Sequence, residues 1–348
     1  MERTPSADGL RMPAEWAPHD RTLLAWPARR QLWGERYEYA CTAHAAVADA
    51  VADHEPVTMV AAPGDAAAAR FECGPRVEVV SIPIDDSWIR DTGPIGVVGA
   101  GGERAAVDFA FNGWGDKFRP WADDDALAGR LADHLGLPRY RAPFVLEGGA
   151  VTVDGEGTLI TTEQCLLHPN RNPGLSRAAI EDGLRAYLGV ERIIWLPYGL
   201  ADDDDTDGHV DNVAAFVAPG VVLVQGCDDP ARADHERLAA NRRVLAGARD
   251  AGGRALEVVD VPVLPFAPTG RGERPVPYLN AYVANGVVLV PIGRNQADDR
   301  MVAVVASCYP DREVVPIPGV TLAHGGGGVH CITQQVPSGA DPPRLTAP

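Results

Sequence analysis

Cys331 lies near the C-terminal end of the chain, after four glycines and a histidine in the segment AHGGGGVHCITQQVP (323–337). Glycine loses more backbone freedom on folding than any other residue, so a run of four beside a thiol is costly. Most glycine runs form turns, and most cysteines are small buried hydrophobes. The alternative is that a bare backbone lets a substrate approach the sulfur closely. The other polar motifs favour this alternative.

Acidic, aromatic and imidazole side chains cluster at three further places where predicted strands end. These segments are WIRDTGP (88–94), LEGG (146–149) and DDDDTDGHVD (202–211), and their candidate residues are Trp88, Asp91, Glu147, Asp205, His209 and Asp211. In an extended segment, His209 and Asp211 point to the same face of one strand. Taken singly, such a pair forms a structural hydrogen bond, binds a metal or transfers protons. The choice among these three roles depends on the other side chains of the set.

Together these side chains suit the hydrolysis of a guanidinium to a urea. Paired carboxylates bind a planar guanidinium through parallel N–H···O bonds. A thiolate can attack its central carbon. An imidazole can protonate the departing ammonia and then activate water. The inventory of one thiol, one imidazole and several carboxylates therefore predicts an enzyme of this class.

The elements that position these residues are predicted to be short strands alternating with helices. Val- and Ile-rich runs bounded by turn residues predict strands at 57–64, 77–83, 157–162, 192–197, 221–226, 256–262, 287–291 and 312–318. Helix-like segments run over 37–54, 123–135, 175–188, 230–251 and 297–308. Asp154-Gly155 and Asn285-Gly286 are typical hairpin turns. The resulting rhythm is strand–strand–helix–strand, and no GxGxxG or P-loop motif accompanies it.

Composition narrows the class of protein. With 348 residues, 46% hydrophobic and 23% charged, the chain is typical of a globular α/β protein. A net charge of −17 argues against nucleic acid and anionic membranes as partners. Six scattered cysteines without a CxxC pair predict neither a disulfide framework nor a structural zinc site. No signal peptide or membrane span is visible, which predicts a cytoplasmic protein.

A family resemblance sharpens these expectations. The chain resembles the agmatine deiminase family, in order and over nearly its whole length, through the segments MPAEWAPHDRTLLAWP (12–27), WIRDTGP (88–94), FNGWGDKF (111–118), LEGGAVTVDGEGTLITTEQCLLHPNRNP (146–173), DTDGHVDN (205–212), YLNAYVANG (278–286) and GGGGVHCITQQVP (325–337). The resemblance implies a pentein fold: an α/β-propeller of five ββαβ-type units with pseudo-fivefold symmetry. We expect one domain over 1–348, with an irregular tail at about 338–348.

The resemblance also implies an activity and a set of roles. Cys331 matches the nucleophile of a hydrolase that converts agmatine, in polyamine metabolism, to N-carbamoylputrescine and ammonia. His209 matches the general acid/base and Glu147 the carboxylate beside the guanidinium. Asp91 and Asp211 match the pair that grips the guanidinium nitrogens. No metal or organic cofactor is implied, and a homo-oligomer is left open.

Four further positions bear on the substrate. Trp88 resembles the aromatic wall of the substrate channel, with core packing as its alternative. Asp205 falls where the family often places an acid near the distal amine. Ala215 stands where many relatives have arginine, and Gly328 where many have asparagine. These two departures bear on substrate detail more than on reaction type.

Other interpretations stay open at this point. The chain could be a deiminase or amidinotransferase that acts on arginine, peptidyl-arginine or a specialised guanidino metabolite. His209, Asp211 and His324 could instead bind a metal for hydrolysis. A non-catalytic guanidine-binding protein is a third class. We expect structural roles for His324 and His330, and packing roles for the five cysteines other than Cys331.

Overall fold

The Val- and Ile-rich segments form strands in the computed structural model, which describes residues 3–339. β-branched side chains are stiff and pack well on a pleated surface, so these runs favour extended backbone. All eight strand segments predicted from the sequence are confirmed with small shifts at their ends. The segment 57–64 is observed as Val57–Ala61, for example, and 312–318 as Glu313–Pro318. The expected irregular tail lies almost wholly outside the described residues.

Within residues 3–339, five sheets share one hydrogen-bonding pattern. In each, a middle strand pairs antiparallel with one neighbour and parallel with the other. Sheet by sheet, these strands are Thr333–Pro337, His19–Ala25 and Val57–Ala61; Ile95–Gly99, Arg104–Ala110 and Arg139–Val145; Thr152–Val153, Thr158–Thr162 and Arg192–Leu196; Ala214–Ala218, Val221–Gln225 and Glu257–Val261; and Tyr282–Ala284, Val287–Ile292 and Glu313–Pro318. Val77–Ser81 extends the first sheet and Leu10–Arg11 the second, while Phe266–Thr269 and Gly272–Pro275 form a separate hairpin.

A helix joins the two parallel strands of every sheet, because parallel pairing requires a crossover connection. The five crossover helices are Tyr37–Ala52, Leu127–His134, Arg177–Leu188, Asp234–Gly247 and Asp298–Ser307. Shorter α-helical segments are Arg30–Trp33, Ala66–Glu72, Ile89–Thr92, Gly113–Asp116, Ala122–Asp125, Glu163–Leu166 and Val320–Gly325. Single 3₁₀ turns are Ser6–Asp8, Gly34–Arg36, Gly148–Ala150, Val210–Asn212 and His330–Ile332. Each sheet with its helix is therefore a ββαβ unit.

The predicted helices are found, with one interruption. The helix expected over 123–135 breaks at Ala126. Just before this break, Asp124 and Asp125 accept hydrogen bonds from the backbone N–H groups of Asp85 and Phe111, respectively. The break thus coincides with two carboxylates that bind neighbouring loops.

The chain ends meet in one sheet, because the C-terminal strand Thr333–Pro337 pairs antiparallel with the N-terminal strand His19–Ala25. This pairing holds Cys331, two residues before the last strand, against the opposite end of the chain. Cys331 belongs to an apolar cluster that also contains Trp33 and Trp88. Over the described residues, no helix combines the length and the apolar composition needed to cross a bilayer.

Candidate active site

The expected catalytic side chains occupy equivalent places in the five units. Asp91, Glu147, Asp211 and Cys331 each lie two to five residues before the first strand of a unit, and the equivalent position of the fifth unit carries Asn280. Each sheet therefore brings one connecting segment to the same region of the molecule. Residues far apart in the sequence form one buried group in this way.

Gly149 shows how closely three of these side chains approach. A Cβ at this position would lie 2.5 Å from His209 Nδ1 and 3.0 Å from a carboxylate oxygen of Asp91 and of Asp211. The Gly149 N–H donates to Asp91 Oδ1 at 3.0 Å. Any side chain here would push the imidazole and the two carboxylates apart, so the position requires glycine.

The segment that carries His209 and Asp211 is not extended, so the two residues do not share the face of one strand. His209 instead caps the 3₁₀ turn Val210–Asn212, which contains Asp211. The turn buries Val210 completely in an apolar cluster. His209 and Asp211 are nevertheless both buried and both reach the region around Gly149.

The Cys331 thiol lies beside an amide and a carboxylate. Its Sγ is 3.4 Å from Asn280 Nδ2 and 3.9 Å from Asp211 Oδ2. Burial, together with the negative charges of Asp211 and Asp91, raises the pKa of the Cys331 thiol well above its usual value. The thiol therefore keeps its proton until a cation offsets the two carboxylates.

The His209 ring is held as a cation. Burial by itself would lower the pKa of His209, but the charge of Asp91, with Oδ1 3.8 Å from Nδ1, outweighs it together with Cys165 and the charge of Asp211. The pKa of His209 therefore lies well above its usual value. Its Nε2 makes no hydrogen bond of good geometry within the described part of the chain. A protonated ring with a free N–H can act as a general acid.

Glu147 is fully buried, and only one of its two carboxylate oxygens has a hydrogen-bond partner among the described residues. Its Oε1 accepts from Arg171 Nε at 2.6 Å, while Oε2 has no partner among the described residues. Arg171 also donates to Asp207 Oδ2 at 2.5 Å and to the Thr206 carbonyl at 2.8 Å. The guanidinium of Arg171 thus balances the buried charge of Glu147 and ties it to the loop that precedes His209.

A pocket of about 330 Å³ opens onto Cys331. Its lining residues are Trp88, Asp91, Trp114, Phe118, Asp205, Thr206 and the glycines 325–327. Trp114 donates from Nε1 to Asp91 Oδ2 at 3.0 Å and so orients this carboxylate. Trp88 lies in the pocket wall and also packs on Trp33, with 5.9 Å between ring centroids. The aromatic and acidic lining suits a small cation with an alkyl chain.

The glycine run before Cys331 packs directly against two site residues. Gly327 lies against the ring of Trp88, and Gly328 lies against the amide of Asn280. A Cβ at either position would collide with that neighbour. An asparagine at 328 would therefore displace Asn280 from its contact with the Cys331 sulfur.

Asp205 lies in the wall of the same pocket. Gly326, with a φ of 105°, passes so close that a Cβ there would lie 2.6 Å from Asp205 Oδ2. Burial raises the pKa of Asp205, and the nearby cation Arg271 opposes that rise. Asp204, its neighbour in the acidic run, is exposed. The acidic run therefore contributes one carboxylate to this pocket, because the pocket lining includes no other residue of 202–205.

One group of side chains could hold a metal within residues 3–339. Donor atoms of Glu147, Cys165 and His209 all lie within 4.8 Å of one another, and this mixed set is of a kind that zinc accepts. The metal set considered from the sequence, with His324, is not assembled by the fold. Cys165 was expected only to pack, and its sulfur lies beside the His209 imidazole.

Several site contacts were missed by reasoning from residue type alone. These residues are Trp114, Cys165, Arg171, Asn280 and His330, which touch Asp91, His209, Glu147, Cys331 and Asp211, respectively. All five lie in segments that carry the family resemblance. Their position in those segments was the available signal.

Comparisons with known proteins agree with this geometry. The model of the Porphyromonas-type peptidyl-arginine deiminase family matches residues 11–337. The agmatine deiminase of Pseudomonas aeruginosa (strain LESB58) is 44% identical over 360 residues, which covers 96% of this chain and 97% of the relative. That of Ectopseudomonas mendocina (strain ymp) is 43% identical over 363 residues, with 97% and 98% covered. The solved structure of Enterococcus faecalis agmatine deiminase superposes with a TM-score of 0.92 at 33% identity, and covers 98% of this chain and all of that one.

Proposed function

The chain belongs to the Porphyromonas-type peptidyl-arginine deiminase family, and we infer that it is an agmatine deiminase, a hydrolase that acts on the C–N bond of a linear amidine. One observation in the site supports this inference most strongly. The thiol of Cys331, the ring of His209 and the carboxylates of Asp91, Glu147 and Asp211 are buried close together, and Cys331 and Asp91 reach the lining of a small pocket. The products are N-carbamoylputrescine and ammonia.

In the first half-reaction, we propose that Asp91 and Asp211 bind the guanidinium of agmatine. The bound cation offsets the two negative charges that hold the proton on Cys331, so the thiolate forms when the substrate is present. The sulfur then attacks the guanidinium carbon. His209 gives its proton to the departing nitrogen, and ammonia leaves an S-alkylthiouronium on the sulfur.

In the second half-reaction, His209 is neutral and can accept a proton from water. The water oxygen attacks the same carbon, the C–S bond breaks, and the urea is released with Cys331 restored. The free oxygen of Glu147 faces the region between His209 and the substrate in this proposal. It accepts a hydrogen bond from the guanidinium N–H and stabilises the positive charge of the adduct.

We also propose that residues 1–348 form one domain, in which the five ββαβ units surround a pseudo-fivefold axis as in the pentein fold. Two features support this arrangement: equivalent connecting segments converge on one site, and the last strand completes the first sheet. We propose further that the protein binds a small cationic guanidino compound, and neither nucleic acid nor a membrane.

The proposed activity is tested by a screen of guanidino compounds for ammonia release by the purified protein in the presence of EDTA. Agmatine should be the best substrate, and the chelator should not change the rate. The proposal is wrong if arginine, a peptidyl-arginine or another guanidino compound has the higher kcat/KM. Loss of activity with EDTA would instead indicate metal-assisted hydrolysis.

Replacing Asp205 should weaken agmatine binding selectively. The Asp205→Asn variant loses a charged acceptor for the distal ammonium, and one such hydrogen bond contributes roughly 1.5–3 kcal/mol. We expect KM for agmatine to rise about ten- to hundredfold, with kcat changed less. An alkylguanidine without the amine should be affected little.

Asp204→Asn is the matched control, because this neighbouring aspartate is exposed and outside the pocket lining. Its KM should stay within about twofold of the wild-type value, since exposed charges contribute little. An equal loss with the amine-free guanidine in Asp205→Asn would show that Asp205 does not recognise the ammonium.

A further inference from the structure

His330, immediately before the nucleophile, lies between two carboxylates. Its Nδ1 is 2.9 Å from Asp211 Oδ2 and its Nε2 is 2.7 Å from Glu15 Oε2. The residue is 7% exposed. A neutral imidazole has one N–H, and an ionised carboxylate can only accept. Both hydrogen bonds are therefore made together only when the ring carries two protons.

The charges around His330 favour this imidazolium. The titratable and charged groups that face it are Glu15, Arg90, Asp211, Tyr309 and Cys331. Burial and the charge of Arg90 would lower the pKa of His330, but Glu15 and Asp211 outweigh them and raise it. The pKa of Glu15 shifts in the opposite direction. Burial would raise it, but His330 and Arg90 lower it to about 2.

The contact fixes how Asp211 presents itself to a substrate. Its Oδ2 accepts from His330, whereas Oδ1 is buried and has no partner within the described residues. A carboxylate held at one oxygen cannot rotate freely. Oδ2 is also the oxygen that lies 3.9 Å from Cys331 Sγ, and Oδ1 remains free to accept a further N–H.

We propose that His330 is a positioning residue: as an imidazolium that bridges Asp211 and Glu15, it fixes the carboxylate of Asp211 beside Cys331 and sets the alkaline limit of turnover. This inference rests on the function proposed above. When the ring loses one proton, one of its two hydrogen bonds breaks. The Asp211 carboxylate then either loses this hydrogen bond or keeps it without the charge of the imidazolium, and the surroundings of Cys331 lose one positive charge. Turnover is thus supported below the pKa of His330 and lost as the pH rises through it.

Glu15→Gln tests this inference without altering the substrate pocket, whose lining does not include Glu15. The amide oxygen can still accept from Nε2, but the negative charge that holds the second proton is gone. We expect the alkaline limb of the kcat/KM profile to move to lower pH by about one unit or more. Above this new limit, KM should rise more than kcat falls. A merely structural role would lower activity by the same factor at every pH.

The protonation of the ring can be measured without turnover. Ring ¹⁵N NMR of the free enzyme, with the His330 signals assigned by their absence in His330→Asn, should show an imidazolium at neutral pH and a lower titration midpoint in Glu15→Gln. If the wild-type enzyme releases no ammonia from agmatine, the proposed function fails. If turnover is normal but the ring titrates as a neutral imidazole, the inference on His330 fails alone.

Glu55→Gln is the matched control. Glu55 forms another buried pair with a histidine, 3.2 Å from His19 Nδ1, and lies outside the pocket lining. Its replacement should leave the alkaline limb within about 0.2 units, because Glu55 does not contact His330. An alkaline limb that stays in place in Glu15→Gln, or moves equally in both variants, would overturn the proposal.

Discussion

Turnover should be lost in Cys331→Ser, while agmatine still binds. A serine hydroxyl is far harder to ionise than a thiol, and the two carboxylates nearby raise the barrier further. Loss of a nucleophile typically lowers kcat by roughly 10³–10⁶-fold. The variant keeps Asp91 and Asp211, so agmatine should still increase the thermal stability of the protein.

The covalent step can be observed directly in the wild-type enzyme. Mass spectrometry of acid-quenched turnover should show an amidino adduct on the peptide that contains Cys331. Cys308→Ser serves as the control, because the Cys308 sulfur contacts the Val304 carbonyl of the preceding helix and lies outside the pocket lining. The activity of this variant should be unchanged. An adduct on Cys165, or near-normal activity of Cys331→Ser, would contradict the assignment of the nucleophile.

The secondary structure could be predicted from the sequence because it depends on the preferences of neighbouring residues. Runs such as VVLVQ at 221–225 contain little except β-branched and apolar residues, and turn residues bound them on both sides. The Asn285-Gly286 pair forms the predicted hairpin, since Gly286 adopts a φ of 76° that few other residues tolerate. The repeat of strand, strand, helix and strand was visible for the same reason.

The convergence of five connecting segments was not accessible in this way. Nothing in the local sequence of Glu147 or Asn280 states that their units place them near Cys331. Pairing of Thr333–Pro337 with His19–Ala25 joins residues more than 300 positions apart. No periodic pattern in the sequence encodes such a contact. The family resemblance supplied this expectation, and the inventory of a thiol, an imidazole and carboxylates only made it chemically sensible.

Pairwise roles within the site were the least predictable part. His330 was expected to be structural, yet its ring contacts both Asp211 and Glu15. The spacing of His209 and Asp211 would place them on one face only in an extended segment, whereas His209 precedes and Asp211 lies in a 3₁₀ turn. Such details depend on which tertiary contacts a turn can make, and these contacts outweigh local preference.

The charge balance of the site explains why so many acids can be buried together. Asp91 is paired with the cationic His209, and Glu147 with Arg171. Asp211 is paired with His330. Each of these three carboxylates thus has one cation of the protein beside it, so the positive guanidinium of the substrate adds a charge that can balance a thiolate at Cys331. A site of this design favours the thiolate in the complex over the thiolate in the free enzyme.

Replacing His209 should slow both half-reactions. General acid–base catalysis contributes about 10²–10⁴-fold, so kcat for agmatine in His209→Ala and His209→Gln should fall by at least the lower end of that range. In the proposed mechanism the protonated ring, which the raised pKa of His209 favours, gives a proton to the departing nitrogen before it takes one from water. An effect on KM alone would assign His209 to substrate binding.

An agmatine analogue whose leaving group needs no proton separates the two roles. In the S-methylisothiourea analogue, attack by Cys331 expels methanethiol and forms the same S-alkylthiouronium on the sulfur. In His209→Gln the rate of adduct formation should stay within about tenfold of the wild-type rate. The reason is that the leaving group of this analogue needs no proton from residue 209. Hydrolysis of the adduct should remain slow, so the adduct should accumulate on Cys331 and be visible by mass spectrometry. If the adduct forms slowly with this analogue as well, His209 acts on the thiol or on substrate placement rather than on the leaving group.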